Sequence, residues 1–135
     1  MDKLFIAATQ HTPKVVLDHT SHLYEIEGES IPENAMVFYT PIIKWLTDYK
    51  GIVFFVKNEY GNTNAVKINF KFDYFNSTSA KFILEIFNAM QSYRKDNLIA
   101  EINWYYLDGD TDMLEAGEEF ATLCPQVPVN YIVRS

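Results

Sequence analysis

Four consecutive small polar residues, Asn76, Ser77, Thr78 and Ser79, are the side chains of this sequence best suited to chemistry. They lie between a predicted strand and a predicted helix, where a side-chain oxygen commonly caps the unpaired N–H groups of the first helical turn. A hydroxyl beside the positive end of a helix is also a good phosphoacceptor, because a phosphate adds a charge of about −1.5 to −2 that a partner can read. Both roles, cap and phosphorylation site, fit residues 76–79, which we call the hinge.

The patterns on either side of the hinge predict the elements that position it. Residues 66–74 alternate apolar and polar side chains, which is typical of a strand with one buried face. Between Phe82 and Tyr93, apolar residues recur at helical spacing. We therefore expect a strand to end, and a helix to begin, at the hinge.

The N-terminal half is predicted to contain brief edge strands or extended segments at residues 4–6 and 15–17 and a longer strand at residues 22–28. Ser30 and Glu33 have the spacing of a capping box, which predicts a helix start near residue 30. Pro41 is expected either to kink this helix or to begin a new first turn. Residues 50–60 fit either a continuation of the helix or a hairpin arm, and we favour the helix.

The C-terminal part repeats the alternation of strand and helix. Residues 100–106 predict a strand, Asp112 and Glu115 have cap spacing for a helix, and residues 127–133 predict a final strand. Such an order implies one small mixed α/β sheet, with helices packed mainly on one face because the central strands keep a polar face. The 135 residues are expected to form a single domain.

Composition and charge exclude several classes of function. The net charge is −7 and the sequence has no cluster of basic residues, so we expect no nucleic-acid partner. No apolar run approaches the roughly 18 residues of a membrane-spanning helix, so we expect no membrane insertion. The single cysteine, Cys124, permits no internal disulfide and suits the reducing cytoplasm.

Metal and catalytic sites are not predicted. His11, His19 and His22 are isolated in polar segments without a full set of zinc ligands. The acidic loop at residues 108–112 has glycine at the second position of a calcium-loop frame instead of the sixth, which favours a solvated turn. The sequence has no G-x-S-x-G, P-loop or G-x-G-x-x-G motif. We therefore expect no catalytic residue, no metal and no cofactor.

An alternative class of function is a small-ligand-binding α/β module. In that case Trp104, Tyr105 and Tyr106, on the predicted strand at residues 100–106, would line a pocket.

Several segments, taken in order along the chain, resemble the SiaC family of bacterial regulatory phosphoproteins. These are TQHTP at residues 9–13, SIPEN at 30–34, Trp45, DYFNSTSAK at 73–81, NWYY at 103–106 and DMLEAGEEFA at 112–121. The resemblance implies a STAS-like fold, similar to that of anti-sigma-factor antagonists. It also implies a non-enzymatic switch protein with a dedicated kinase, a PP2C-type phosphatase and, as the target of its unphosphorylated form, a diguanylate cyclase that controls c-di-GMP and biofilm formation.

The resemblance also implies the position of the phosphoacceptor. In the family it is the hydroxyl residue directly after the hinge asparagine, usually a threonine. Register therefore favours Ser77 here, whereas residue type favours Thr78, one residue further on. Docking of the kinase and the partner is expected on the hinge and the first turn of the following helix, at Tyr74, Asn76, Ser79 and Lys81.

Overall fold

The computed structural model of this chain describes residues 1–134. They contain one six-stranded sheet. The spatial order of its strands is their order in the sequence. The strands are β1 (Leu4–Ile6), β2 (Lys14–Asp18), β3 (Leu23–Ser30), β4 (Val66–Phe75), β5 (Ala100–Leu107) and β6 (Val129–Arg134). The helices are α1 (Ala35–Tyr60), α2 (Ser77–Lys95) and α3 (Thr111–Leu123).

The sheet is mixed, as the sequence predicted. β1, β2 and β3 pair antiparallel, whereas β3, β4, β5 and β6 pair parallel, and each parallel connection contains one helix. On β4, Ile68 and Phe70 are fully buried, while the intervening Lys67 and Asn69 are exposed or half-buried. One face therefore packs against the helices and the other keeps polar side chains, which confirms the predicted α/β class and its one-sided helical cover.

The open face of the sheet is crossed by a row of amides. The side chain of Asn103 donates to that of Asn69 over 2.9 Å, and Asn130 donates to Asn103 over 3.1 Å. Beside this row, Lys71 Nζ lies 2.8 Å from the carboxylate of the buried Glu25, and this hydrogen bond raises the pKa of the lysine. Polar side chains of this face thus form hydrogen bonds with one another across four neighbouring strands.

The core between the sheet and the helices is dense in aromatic rings. Trp104, which is fully buried, packs against Phe70, Phe87 and Phe120 with centroid separations of 5.5–5.9 Å, and its indole N–H donates to the carbonyl of Met113 over 2.8 Å. α3 approaches this ring at a glycine. A Cβ on Gly117 would lie 2.5 Å from Trp104 Cδ1, so the glycine is what allows the close contact.

The first helix begins later than the sequence predicted. The capping-box interpretation of Ser30 and Glu33 is wrong: Asn34 is the N-cap and its side chain accepts from the backbone N–H of Val37 over 3.1 Å. Ser30 instead ends β3, beyond a register shift at Gly28, whose φ is 125°. Parallel pairing with β4 therefore carries the strand past the predicted end at Gly28.

The uncertain stretch at residues 50–60 is helical, as we favoured. α1 passes through Pro41 without a break, although this proline cannot supply the N–H that would bond to Val37 O. At its C-terminus, Gly61 adopts a left-handed conformation and donates its N–H to Lys57 O over 2.7 Å. The glycine therefore ends the helix as a C-cap.

Two boundaries in the C-terminal part also differ from the predictions. The cap of α3 is Asp110, not Asp112, and its carboxylate accepts from Met113 N over 3.1 Å. The turn at Gly109, with φ of 87°, brings the chain into the helix two residues earlier than the pattern suggested. The last strand begins at Val129, because Val127 is still bonded back to Cys124 O.

Candidate functional site

The hinge lies at the carboxyl end of β4, directly beside the end of β3. Asn76 is the N-cap of α2: its side-chain oxygen accepts from Ser79 N over 2.9 Å. Its own backbone N–H donates to Ser30 O over 3.1 Å, which continues the contact between β3 and β4 into the hinge. The capping role that the sequence allowed for the hinge thus falls to the asparagine.

Ser77 and Thr78 are the first two residues of α2, and both are exposed. Since Asn76 supplies the capping oxygen, their hydroxyls are not needed to complete the helix end. Both sit in the positive field of the helix N-terminus, where a negative group is stabilised. The geometry therefore leaves two accessible hydroxyls at a position that favours a phosphate.

Ser79 is fully buried, and its predicted place on the docking surface is wrong. Its hydroxyl donates to Ser30 O over 3.1 Å and lies 2.9 Å from Ser30 Oγ. Ser30 Oγ in turn lies 2.6 Å from the hydroxyl of Tyr39, on α1. The cause is helical geometry, because the third residue of α2 turns inward while the first two face solvent. Ser79 thus joins a buried hydroxyl cluster that ties α2, β3 and α1 together.

Of the other three residues assigned to docking, Tyr74 and Lys81 are accessible and Asn76 is half-buried. Tyr74 is 54% exposed at the end of β4. Lys81, one turn after Ser77, is exposed, and its ammonium group lies 5.6 Å from the ring centroid of Phe82. Asn76 is half-buried between them and the end of β3. Tyr74 and Lys81 therefore flank the two exposed hydroxyls.

An acidic cleft adjoins the hinge on the α3 side. It has a volume of about 290 Å³ and its walls include Asp73, Tyr74 and Phe75 from β4 and Asp110 and Asp112 from the start of α3. Three carboxylates line it, and the guanidinium of Arg134 lies 3.8 Å from that of Asp73, so the cleft keeps an excess of negative charge. The sequence pattern identified the acidic loop but not its position against the hinge, which results from parallel pairing of β4 with β5.

His11 and His19 have structural partners of their own. His11 pairs with Glu29 at 3.0 Å, and His19 bonds to the carbonyl of Met1 over 2.9 Å and stacks on Tyr49. Within residues 1–134, no group of three or more His, Cys, Asp or Glu side chains is arranged to hold a metal ion. None of the helices in this part of the chain combines the length and hydrophobicity that crossing a bilayer requires.

The aromatic strand of the ligand-binding alternative does not face one pocket. Trp104 is in the core, Tyr105 lies on the open face under Lys71, and Tyr106 lines a second cleft of about 300 Å³ at the start of α3. Successive residues of β5 point to opposite faces of the sheet, so Tyr105 lies on the other side from Trp104 and Tyr106. This distribution gives the alternative no enclosed binding cavity lined by the three residues.

Comparison with known proteins gives the family. Residues 6–134 match the sequence profile of the SiaC family regulatory phosphoproteins. The chain belongs to the SiaC family. This confirms the resemblance inferred from the motifs.

Known SiaC structures share the fold of this family member. Apo-SiaC from Pseudomonas aeruginosa superposes with a TM-score of 0.82 at 21% identity, covering 98% of this chain and all of the other. A second P. aeruginosa structure shows the diguanylate cyclase SiaD in complex with its activator SiaC. The superposition has a TM-score of 0.83 at 21% identity and covers 97% of this chain and 99% of the other. An uncharacterized protein of P. aeruginosa strain UCBPP-PA14 is 22% identical over 124 residues, covering 92% of this chain and 91% of its own length.

Sequence reasoning missed the buried part of this site. The sequence pattern places Ser30 in a helix cap and predicts no role for Tyr39. In the structure Ser30 contacts Ser79, in the first turn of α2, and Tyr39 contacts Ser30. A signal was present in retrospect: a serine at the end of a strand and a tyrosine on the inner face of α1 are polar groups that need buried partners.

Proposed function

We propose that this SiaC family protein is a non-enzymatic cytoplasmic switch that is reversibly phosphorylated in the hinge. A dedicated protein kinase would add the phosphate and a PP2C-type phosphatase would remove it. The unphosphorylated form would bind and regulate a diguanylate cyclase, and thereby c-di-GMP signalling and biofilm formation. Membership of a regulatory phosphoprotein family and the described complex of P. aeruginosa SiaC with SiaD support this proposal.

The observation that carries the proposal is that capping, burial and exposure fall on different residues of the hinge. Asn76 caps α2 and Ser79 is buried, so only Ser77 and Thr78 present hydroxyls to a kinase. We propose Ser77 as the acceptor, because it directly follows the capping asparagine. Thr78 is the alternative acceptor.

Phosphorylation would act by charge and bulk, without refolding the protein. The unmodified Ser77 is a neutral polar group on a surface that includes Tyr74, Asn76 and Lys81. A phosphate there would bring up to two negative charges next to the acidic cleft, and a docked partner would have to desolvate them. Lys81 is close enough along the helix to approach the phosphate while the partner is absent. The phosphorylated form is therefore the one that releases the cyclase.

The test is to map phosphate on the peptide spanning residues 72–81, by mass spectrometry of the protein isolated from its own cells. In parallel, the purified protein is labelled by its kinase as the wild type and as Ser77→Ala, Thr78→Ala and the double variant. We expect Ser77→Ala and the double variant to lose labelling and Thr78→Ala to keep it. Labelling of the double variant at the wild-type level would contradict phosphorylation in the hinge.

Regulation of the cyclase is tested separately. Cyclase activity is measured with the unphosphorylated protein, the phosphorylated protein and Ser77→Asp. We expect the unphosphorylated form alone to bind and change the activity. Equal binding of the phosphorylated and unphosphorylated forms would contradict the switch.

A further inference from the structure

The last strand, β6, forms one of the two edges of the sheet. It pairs in parallel with β5, with Ile102 opposite Val129 and the N–H of Ile102 donating to Pro128 O over 3.0 Å. In a parallel ladder, every second residue of a strand directs its N–H and C=O toward a given neighbour. The even-numbered residues of β6 therefore bond to β5, and Val129, Tyr131 and Val133 direct their backbone groups away from the sheet.

The outward backbone groups of β6 are open to pairing. Within residues 1–134, no hydrogen bond reaches the outward N–H and C=O groups of Val129, Tyr131 and Val133. The side chains beside them are accessible as well, since Tyr131 is 37% exposed and Val133 52%. β6 has six residues, with no proline and no charge before Arg134. The backbone of another extended segment can therefore pair along it.

The opposite edge of the sheet is less suited to such pairing. β1 has only three residues, and a very short edge strand is one of the ways in which proteins prevent pairing with another chain. The outward side of β6 is therefore the longer of the two edges that another strand can extend.

The helix beside β6 makes this edge acidic. Residues 108–123, which lead into α3 and form it, contain six carboxylates and no lysine or arginine. Glu118 lies on the flank of α3 that faces β6: burial and the charge of Glu118 both raise the pKa of Tyr131. A strand added beside Tyr131 would therefore run past a carboxylate.

The second cleft continues the acidic surface along the same edge. Its walls include Tyr106, Asp108 and Asp110, and Tyr106 is the register partner of Val133 on β6. The cleft has a volume of about 300 Å³, which is large enough for the side chain of a lysine or an arginine. A cationic side chain beside Val133 would face carboxylates there as well.

Charge decides which occupant this edge favours. A second copy that paired through β6 would bring its own acidic α3 against this one, and like charges brought together oppose association. A basic segment instead meets opposite charge along the edge.

We propose that β6 binds an extended, basic segment of a partner protein, which joins the six-stranded sheet as a seventh strand. The backbone of that segment bonds to Val129, Tyr131 and Val133, and its cationic side chains face Glu118 and the second cleft. Pairing of the backbones supplies affinity, and the carboxylates select the partner by charge. This proposal does not rest on phosphorylation of the hinge.

The first test measures binding of a synthetic probe to the full chain by fluorescence anisotropy. The probe is a labelled octapeptide in which lysine and valine alternate, and its control is the same peptide with glutamate in place of lysine. We expect saturable binding of the lysine peptide, weakened by added salt, and at least about tenfold weaker binding of the glutamate peptide.

Backbone pairing is tested at the centre of β6. Tyr131→Pro removes an outward N–H without removing a bond to β5, and should weaken binding of the lysine peptide about tenfold. The matched control is Tyr131→Ala, which loses the same side chain, keeps the N–H and should bind with an affinity close to that of the wild type. Urea denaturation of both variants checks that they remain folded.

Amide hydrogen exchange tests the pairing on the wild type itself. Without peptide, the outward amides of Val129, Tyr131 and Val133 should exchange rapidly, whereas those of Asn130 and Ile132, which bond to β5, should be protected. Saturating lysine peptide should protect the three outward amides and leave the other two unchanged.

The role of charge is tested on α3. Glu118→Lys should weaken binding of the lysine peptide about tenfold and strengthen binding of the glutamate peptide. The control is Glu119→Lys, the same change on the flank that faces the hinge, since Glu119 follows Asp112 by two helical turns and Asp112 lines the acidic cleft. It should affect both peptides less than Glu118→Lys does.

Several outcomes would overturn the proposal. Slow exchange of the outward amides without peptide would mean that the edge is already covered, and protection that rises with protein concentration would identify a second copy as the cover. Failure of the lysine peptide to bind, or equal binding to Tyr131→Pro and Tyr131→Ala, would contradict strand addition. Ser77→Ala should bind the peptide as the wild type does, so failure of this proposal and failure of the switch are distinguishable.

Discussion

The hydroxyl of Ser79, in the first turn of α2, lies 2.9 Å from the hydroxyl of Ser30, at the end of β3. The two residues are far apart in sequence, and both are fully buried. This contact fixes the first turn of α2 against the sheet, while Ser77 and Thr78, two residues and one residue earlier, face solvent. The buried anchor, Ser79, and the two accessible hydroxyls therefore belong to neighbouring residues of one helical turn.

Replacement of Ser79 by alanine should lower the free energy of unfolding by about 1 kcal/mol, because a buried hydroxyl loses its hydrogen bonds to Ser30. The control is Ser77→Ala, which removes an exposed hydroxyl and should stay within about 0.5 kcal/mol of the wild type. Urea denaturation measures both. Equal stability of the two variants would show that the buried contact contributes nothing.

The cap of α2 can be tested at Asn76. Asn76→Ala should cost about 1 kcal/mol of stability, because Ser79 N loses the side-chain oxygen that it binds. Asn76→Asp should retain stability, since a carboxylate accepts the same bond and interacts well with the helix N-terminus. Thermal unfolding of the two variants, compared with the wild type, separates these outcomes. A loss with aspartate as large as that with alanine would be inconsistent with capping.

Tyr39 should make stability sensitive to high pH. Burial raises the pKa of Tyr39 from 10.0 to about 12, although its bonds to Ser30 and Ser79 act in the opposite direction. A raised pKa means that the fold favours the neutral phenol. Its contribution is therefore complete below about pH 10, where the unfolded tyrosine begins to ionise, and is lost as the pH rises to about 12.

The variant that checks this is Tyr39→Phe, measured by urea denaturation between pH 7 and pH 12. At pH 7 it should be less stable than the wild type by about 1 kcal/mol, for loss of the bond to Ser30. The difference should shrink above pH 10, because phenylalanine does not ionise. A difference that stays constant over this range would rule out Tyr39 as a source of alkaline sensitivity.

Gly117 should not tolerate a side chain. In Gly117→Ala the new methyl group would meet the indole of Trp104 at 2.5 Å, and we expect a loss of about 1–3 kcal/mol from the resulting displacement of α3. The same change in a Trp104→Phe background should cost less, because the smaller ring leaves room. This double-mutant cycle isolates the contact between the two positions. Additive losses would mean that the clash is not the cause.

The elements that follow a strong period were predictable from the sequence, and the contacts between elements were not. The alternation at residues 66–74 and the helical spacing after Phe82 gave β4 and α2 nearly to the residue, because one buried face dictates the pattern. The prediction of a helix cap at Ser30 is wrong because the S-x-x-E spacing also occurs where a strand ends. There the serine hydroxyl binds a buried partner instead of the helix. That partner, Ser79, is brought near only by parallel pairing of β3 with β4.

The candidate site was predictable to the same extent. The hinge hydroxyls Ser77 and Thr78 could be identified from composition and position, because small polar residues between a predicted strand and a predicted helix mark a helix start. The inward direction of Ser79 depends on which face of α2 meets the sheet. The acidic cleft could not be predicted without knowing how β4 pairs with β5, since that pairing brings Asp73 and Asp110 to the same cleft. Neither is encoded in a local pattern.

The order of the strands in the sheet has a consequence for how the protein is made. Every strand from β2 onward pairs with the strand synthesised just before it, so the sheet can grow from one edge as the chain leaves the ribosome. β4 and α2 can settle on β3 and α1 before β5 and β6 exist. Ser30, Tyr39 and Ser79 are all present at that stage, so the hinge can be built while the last 40 or so residues are still being translated.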